Sequence, residues 1–311
     1  MAVSAFPAGR SVLIVGDYYL DLVFAGLPRW PQPGTEVFGT GTASLPGGAF
    51  TPQRALHRLG VPAVWAARLG DDPHSRLVLD EAHAEGIDTS AYLLHPGPVR
   101  NISVAMSYGG ERGFVSFKEP LPPLDVIGVI LDRRPACVLL TELTVGPRLV
   151  ALVEAAHRVG AVVFMDCQHT DATLDDPAIT AALKAVDIFA PNAGEARVLT
   201  GHGELNDALD RLRELTPTVV IKNGAHGALA ATSTERVSTA AEAVTVIDTI
   251  GAGDCFDAGF VAGHVFGLGL AGSTALGTLC GTFSVTGHGG AAAPSLAQIA
   301  ERAPELVPWA A

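Results

Sequence analysis

At 311 residues, 48% hydrophobic and with a formal net charge of −12, the chain carries enough apolar material for one large buried core and is excluded from the disordered class. Its acidity argues against a nucleic-acid or anionic-membrane partner, so any recognition of phosphate has to be local. The opening stretch M-A-V-S-A-F-P-A-G-R is too short and too weakly apolar for a secretory signal, and Cys137, Cys167, Cys255 and Cys280 lie in apolar segments without C-x-x-C spacing, so reduced thiols and a cytoplasmic location are expected.

Taken along the chain, short β-branched runs alternate with helical patterns. Strands are predicted at 11–15, 63–67, 137–141, 161–165, 187–190 and 218–221, with helices at 51–59, 74–85, 147–159, 193–199 and 205–215. That alternation predicts a doubly wound α/β fold, a mostly parallel central sheet with helices on both faces. Two segments break the rhythm: 20–44, and 99–117, where strand alternation surrounds a G-G-E-R turn. Residues 258–287 carry no formal charge and are long enough to span a bilayer, but their eight glycines, with G-L-G-L at 267–270, favour two buried helices of one globular core. One domain over 1–311 is expected, with the two off-rhythm segments inserted.

The most informative stretch is D-T-I-G-A-G-D-C-F-D-A-G-F at 248–260. Gly251, Ala252 and Gly253 carry nothing bulkier than a methyl, so an anion can reach their backbone N–H groups, and the apolar run that follows reads as a buried helix whose N-terminus favours negative charge. Asp254 sits at the edge of that anion hole. A carboxylate there suits a base that takes the proton of a hydroxyl attacking a phosphoryl group; the plainer reading is a helix cap.

Other motifs fall where open α/β sheets bind ligands, beyond the carboxyl ends of the strands. Asp17 and Asp21 follow the first strand in G-D-Y-Y-L-D. Gly47 and Gly48, in P-G-G-A-F-T-P, open the first helix and offer N–H groups to substrate oxygens. Asn192 and Glu195 stand three apart at a helix start, the spacing of a capping box. In V-V-I-K-N-G-A-H-G-A-L, Lys222 ends a strand where it can neutralise phosphate charge, and Gly224 and Gly227 let the backbone pass close to a nucleotide; a plain β-hairpin is the alternative. The histidines show no metal-ligand spacing.

The 248–260 stretch resembles the C-terminal signature of the PfkB family of carbohydrate and nucleoside kinases, the ribokinase-like superfamily, and the resemblance extends over roughly 10–300. It implies an ATP-dependent kinase acting on a hydroxymethyl or hydroxyl group of a small sugar or sugar derivative. In that family the off-rhythm segments form a small β-sheet lid over the substrate, through which many members dimerise. The resemblance further implies that Asp254 is the base beside the Gly251, Ala252 and Gly253 amides and that Asp21, more than Asp17, binds sugar hydroxyls with Gly47 and Gly48. Asn192 and Glu195 would order the water shell of Mg2+, and Lys222, Asn223, Gly224, Gly227 and Thr249 would meet ATP. Asp248, with the loop at 289–295, corresponds to the region where many members hold a monovalent cation such as K+, and Arg100 to the lid arginine of relatives that act on phosphorylated sugars. G-D-D-P-H-S at 70–75 is similar to a structural element of the family. One departure is clear: Thr51 stands where the family usually has a sugar-binding asparagine.

A nucleoside acceptor needs an aromatic slot, for which Tyr18, Tyr19, Phe38, Phe50 and Phe114 are candidates. A non-catalytic nucleotide-binding regulator would have no need of Asp254 with Asn192 and Glu195, and a dinucleotide oxidoreductase is disfavoured because no G-x-G-x-x-G follows the first strand.

Overall fold

A computed structural model describes residues 11–108, 111–168 and 170–310. The chain opens with β1 (Val12–Val15), leaves it for β2 (Tyr18–Ala25) and β3 (Gly41–Gly48), and returns through α1 (Phe50–Arg58) to β4 (Ala63–Ala66). A short pair, β5 (Arg68–Leu69) and β6 (Leu93–Leu94), brackets α2 (Pro73–Glu85), and β7 (Ile102–Tyr108) and β8 (Glu111–Phe117) follow. Helix and strand then alternate through α3 (Ile127–Arg133), β9 (Cys137–Leu140), α4 (Pro147–Arg158), β10 (Val162–Asp166), α5 (Pro177–Ala185), β11 (Ile188–Ala190), α6 (Ala193–Thr200), α7 (Leu205–Arg213) and β12 (Thr218–Lys222). The last part adds β13 (Ala228–Ala231), β14 (Arg236–Thr239), α8 (Ala252–Val265), α9 (Gly269–Ser284) and α10 (Leu296–Arg302).

The main sheet runs β14-β13-β12-β11-β10-β9-β1-β4. From β4 to β12 every pair is parallel, while β13 and β14 add an antiparallel edge. The parallel strands are apolar almost throughout, as in Val12–Val15 and Cys137–Leu140, because helices cover both faces. One buried cluster unites Ile14, Phe164 and Phe260 on one face, and another unites Leu13, Val163 and Phe189 on the other. The hairpin reading of 219–229 holds: β12 turns back into β13, and Asn223 N–H donates to Gly227 O at 2.7 Å.

The charge-free stretch is two helices. α8 and α9 pack so closely that a Cβ on Gly259 would lie 2.8 Å from Cys280 Sγ. Among the described residues no helix is long and apolar enough to cross a membrane, and all four cysteines are buried and free. In G-D-D-P-H-S the role is structural: Asp72 caps α2 through the His74 and Ser75 amides at 2.9 and 3.0 Å and also accepts from Val99 N–H at 2.9 Å.

A second sheet, ordered β3-β2-β7-β8, stands apart from the first. The off-rhythm segments supply most of it; β2 begins two residues before the first of them and β3 runs four residues beyond it, 26–40 contributes no strand, and residues 109–110 of the G-G-E-R turn lie outside the described residues. The chain passes between the sheets four times, near Asp17, Gly48, Asn101 and Lys118, and these passes are tied to one another. Ala49 N–H donates to Asp17 O at 3.0 Å, Leu20 N–H to Asn101 O at 2.9 Å and Glu119 N–H to Asn101 Oδ1 at 2.9 Å. Lys118 pairs with Asp17 at 2.7 Å.

Candidate active site

Gly251 caps α8 with a left-handed backbone, φ 75°, which an L side chain resists, and a Cβ there would come within 3.1 Å of Gly290 N. The turn presents the first-turn N–H groups of Ala252, Gly253 and Asp254, which by helix geometry have no intrahelical acceptor; Ala252 N–H reaches back to Thr249 O at 3.3 Å. Asp248 holds the loop from below. Its carboxylate accepts from Ile250 N–H at 3.0 Å and, across 41 residues of sequence, from Gly289 N–H at 3.0 Å.

Asp254, partly buried, borders a cavity of about 570 Å³ between the loop and the small sheet, whose wall includes Asp21, Tyr19, Phe114, Gln168 and Thr249. Burial, then the negative charge of Asp166, pushes the Asp254 carboxyl up to about 7, with Lys222 pulling the other way. Asp21 is likewise pushed up to about 7, by burial and by Asp254 and Asp248. Two carboxyls poised near neutrality around one cavity are suited to proton transfer. Gly48 lines the same cavity. Gly47 makes room for Asp21, whose Oδ2 lies 1.9 Å from where a Gly47 Cβ would sit. Both glycines end β3 rather than open the helix, which starts at Phe50.

A second cavity, about 470 Å³, lies on the other side of the loop. Ala252 and Gly253 line it together with Lys222, Gly224, Gly227 and an apolar wall that includes Phe256 and Val285, and Thr249 borders both cavities. Lys222 is not free to swing into this space. Its Nζ lies 2.6 Å from Asp166 Oδ1 and 3.0 Å from Asp257 Oδ2, buried beneath the loop and 3.6 Å from where a Gly253 Cβ would stand. Burial alone would lower its pKa, but Asp166 and Asp257 hold it above the ordinary lysine value. Burial and Asp166 in turn push the Asp257 carboxyl well above the usual range.

Asn192 and Glu195 form the reciprocal capping box: Asn192 Oδ1 accepts from Glu195 N–H at 3.0 Å, and Glu195 Oε2 from Asn192 N–H at 2.8 Å. Both stand next to β12, where Lys222 N–H donates to Pro191 O at 2.9 Å. Asn223 spends its amide on the hairpin turn and is absent from the second cavity's lining.

Besides Gly47, three sequence candidates for the acceptor site stand outside the first cavity's lining. Asp17 pairs with Lys118 in a neighbouring hollow of about 240 Å³. Arg100 pairs with Glu119 at 3.1 Å. Thr51 is buried, its methyl 3.2 Å from the Cβ position of Gly251, so it packs under the loop. Of the five aromatic candidates, Tyr19 and Phe114 line the cavity, Tyr18 and Phe50 are core residues, and Phe38 is 75% exposed.

Sequence reasoning missed Asp166, Asp257 and Gln168, and the serines Ser103 and Ser116 that face the same cavity. Asp166 ends a buried strand and Asp257 interrupts an apolar helix, both visible signals; Gln168, in the left-handed region at φ 55°, has none.

The fold has counterparts. A fructokinase of Rhizobium leguminosarum bv. trifolii is 29% identical over 269 residues, covering 81% of this chain and 78% of its own. Among solved structures, a putative ribokinase from Agrobacterium tumefaciens superposes with a TM-score of 0.79 at 22% identity over 97% of this chain and 98% of its own. The ribokinase of Arabidopsis thaliana gives 0.77 at 20% identity over 96% and 99%. These neighbours share the ribokinase-like fold. Residues 35–296 match the pfkB family carbohydrate kinases, and with that span covering most of its length, a loop-and-helix site and a two-sheet architecture of this kind, the chain belongs to the PfkB family.

Proposed function

We propose that this PfkB-family protein is an ATP-dependent kinase that phosphorylates a hydroxymethyl or hydroxyl group of a small sugar or sugar derivative, with Asp254 as general base. The observation that carries the reading is the position of Asp254: it borders the first cavity at the loop whose Ala252 and Gly253 line the second. The second cavity suits a nucleotide, since an apolar wall ends at the first-turn amides of α8. The Arabidopsis thaliana ribokinase structure is a complex with ribose and ATP, and a putative ribokinase II from E. coli is a complex with ATP and Mg2+.

ATP supplies the transferable phosphoryl group when bound. Asp21 orients the acceptor, Asp254 removes the proton of the attacking hydroxyl, and the amides of 251–254 hold the charge that develops. Lys222, Gly224, Gly227 and Thr249 would border the nucleotide, and Asn192 and Glu195 would hold Mg2+ through its water shell, where the ion would neutralise phosphate charge. Asp248, tied to Gly289, is the candidate anchor for K+. The small sheet is the lid of one catalytic unit. Its outer surface exposes Phe24, Val115 and Phe117, which supports pairing with a second copy.

A nucleoside acceptor is the second reading, favoured by Tyr19 and Phe114 on the cavity wall. The deciding experiment is ADP release from Mg-ATP across a panel of pentoses, hexoses, sugar phosphates, sugar acids and nucleosides. Asp254→Asn should lower kcat roughly 10²–10⁴-fold while ATP binding survives; equal loss of rate and binding would remove Asp254 from the role, and tight ATP binding without turnover on any acceptor would favour a regulatory protein.

A further inference from the structure

The inner face of the small sheet carries a row of polar side chains across three strands. Asp21 of β2 stands beside Ser103 of β7, and Ser103 stands opposite Ser116 of β8. The two hydroxyls meet at 3.0 Å, exposed to the first cavity. The row is framed along the strands by Tyr19 on one side and Phe114, opposite Ala105, on the other. Among the described residues lining this cavity there is no lysine or arginine. Among the described side chains nearby, Lys118 is committed to Asp17 and Arg100 to Glu119, whereas Asp21 and Asp254 both face the space.

We infer that the acceptor is a polyol bearing neither phosphate nor carboxylate, and that Ser103 and Ser116 are specificity-determining residues that bind its distal hydroxyls beside Asp21. The inference rests on the kinase reading only in taking this cavity as the acceptor site. A serine hydroxyl donates and accepts, so the pair can exchange its mutual hydrogen bond for two sugar hydroxyls. Aromatic rings on either side of a polar row fit the alternating C–H and O–H surfaces of a sugar ring. An anionic group placed here would meet two carboxylates and no described cation, a like-charge contact that selects against it.

The test is calorimetric binding of matched pairs to the whole protein: fructose against fructose 6-phosphate, ribose against ribose 5-phosphate, glucose against gluconate. At least one neutral member should bind more than about tenfold tighter than its anionic partner, and Ser103→Ala/Ser116→Ala should weaken it by about tenfold or more at unchanged melting temperature. Anionic members binding equally or better, no neutral member binding, or an unaffected double variant would each overturn the inference. ADP release measured in parallel separates the two readings. Turnover of an anionic acceptor sinks this inference and leaves the kinase standing; binding of a neutral polyol without turnover of anything does the reverse.

Discussion

Lys222 Nζ and Asp166 Oδ1 lie 2.6 Å apart under the 251–254 loop, joining β12 to β10 across 56 residues of sequence, and Asp257 completes a buried triad. A cation so held lends its field to the loop above without leaving its partners. Lys222→Met strands two buried carboxyls and should cost about 3–5 kcal/mol, read by urea denaturation. Retention of full stability would mean that the triad is solvated.

The pH dependence follows from the two carboxyls held near neutrality. With its pKa at about 7 in the protein without ligands, Asp254, as the proposed base, is competent only when ionised, so kcat/KM should rise as pH passes upward through about 7 and fall below it. Stability moves oppositely. A carboxyl whose folded pKa stands above its unfolded value of 3.8 adds stability that is complete below 3.8 and lost as pH climbs through about 7. The protein without ligands should therefore melt lower at pH 8 than at pH 6, and Asp254→Asn should flatten that difference. An unchanged slope in the variant would locate the effect elsewhere.

Gly47 offers a way to disturb Asp21 without touching it. A methyl there meets Asp21 Oδ2 at 1.9 Å, so Gly47→Ala should turn the carboxylate away and raise the acceptor KM roughly 10–100-fold, the loss of a charged hydrogen bond. The nucleotide KM should stay within about twofold. Parallel changes in both would show that the substitution distorts the loop instead.

The capping box and the proposed Mg2+ role of Asn192 and Glu195 can be separated because glutamine also serves at the third helical position. Glu195→Gln should keep the melting temperature within a degree or two while raising the Mg2+ concentration needed for half-maximal rate. Asn192→Ala removes the cap and should cost about 1 kcal/mol. If Glu195→Gln titrates Mg2+ like the parent protein, the residue is a cap and nothing more.

Much of this architecture was legible because its signals are local. Val12–Val15 and Cys137–Leu140 are apolar throughout, which a strand buried on both faces requires, and G-A-G-D carries its glycine turn and helix start within four residues. The helices α3, α5 and α10 were not read; at seven, nine and seven residues, they give short, weak periodicity. What stayed hidden depends on pairing between distant segments. Nothing near Lys222 says that its charge is spent on Asp166 and Asp257, or that Ser103 and Ser116, 13 apart, meet over one cavity. Thr51 is a related case: the motif puts it where the family usually has a sugar-binding asparagine, and only the fold shows its methyl packed against Gly251 and Gly290 under the loop.

The four tied passes between the sheets have a mechanical consequence, which is leverage. β8 runs seven residues outward from Lys118, about 20 Å at roughly 3.3 Å per residue, while its attachment is a narrow seam. A turn of about 10° at the seam would carry the far end of the strand about 3 Å and sweep Phe114 and Ser116 with it by lesser amounts. Part of that seam is clasped by the half-exposed pair of Lys118 and Asp17. Residues outside the lining of the first cavity thereby govern how its ceiling sits over its floor.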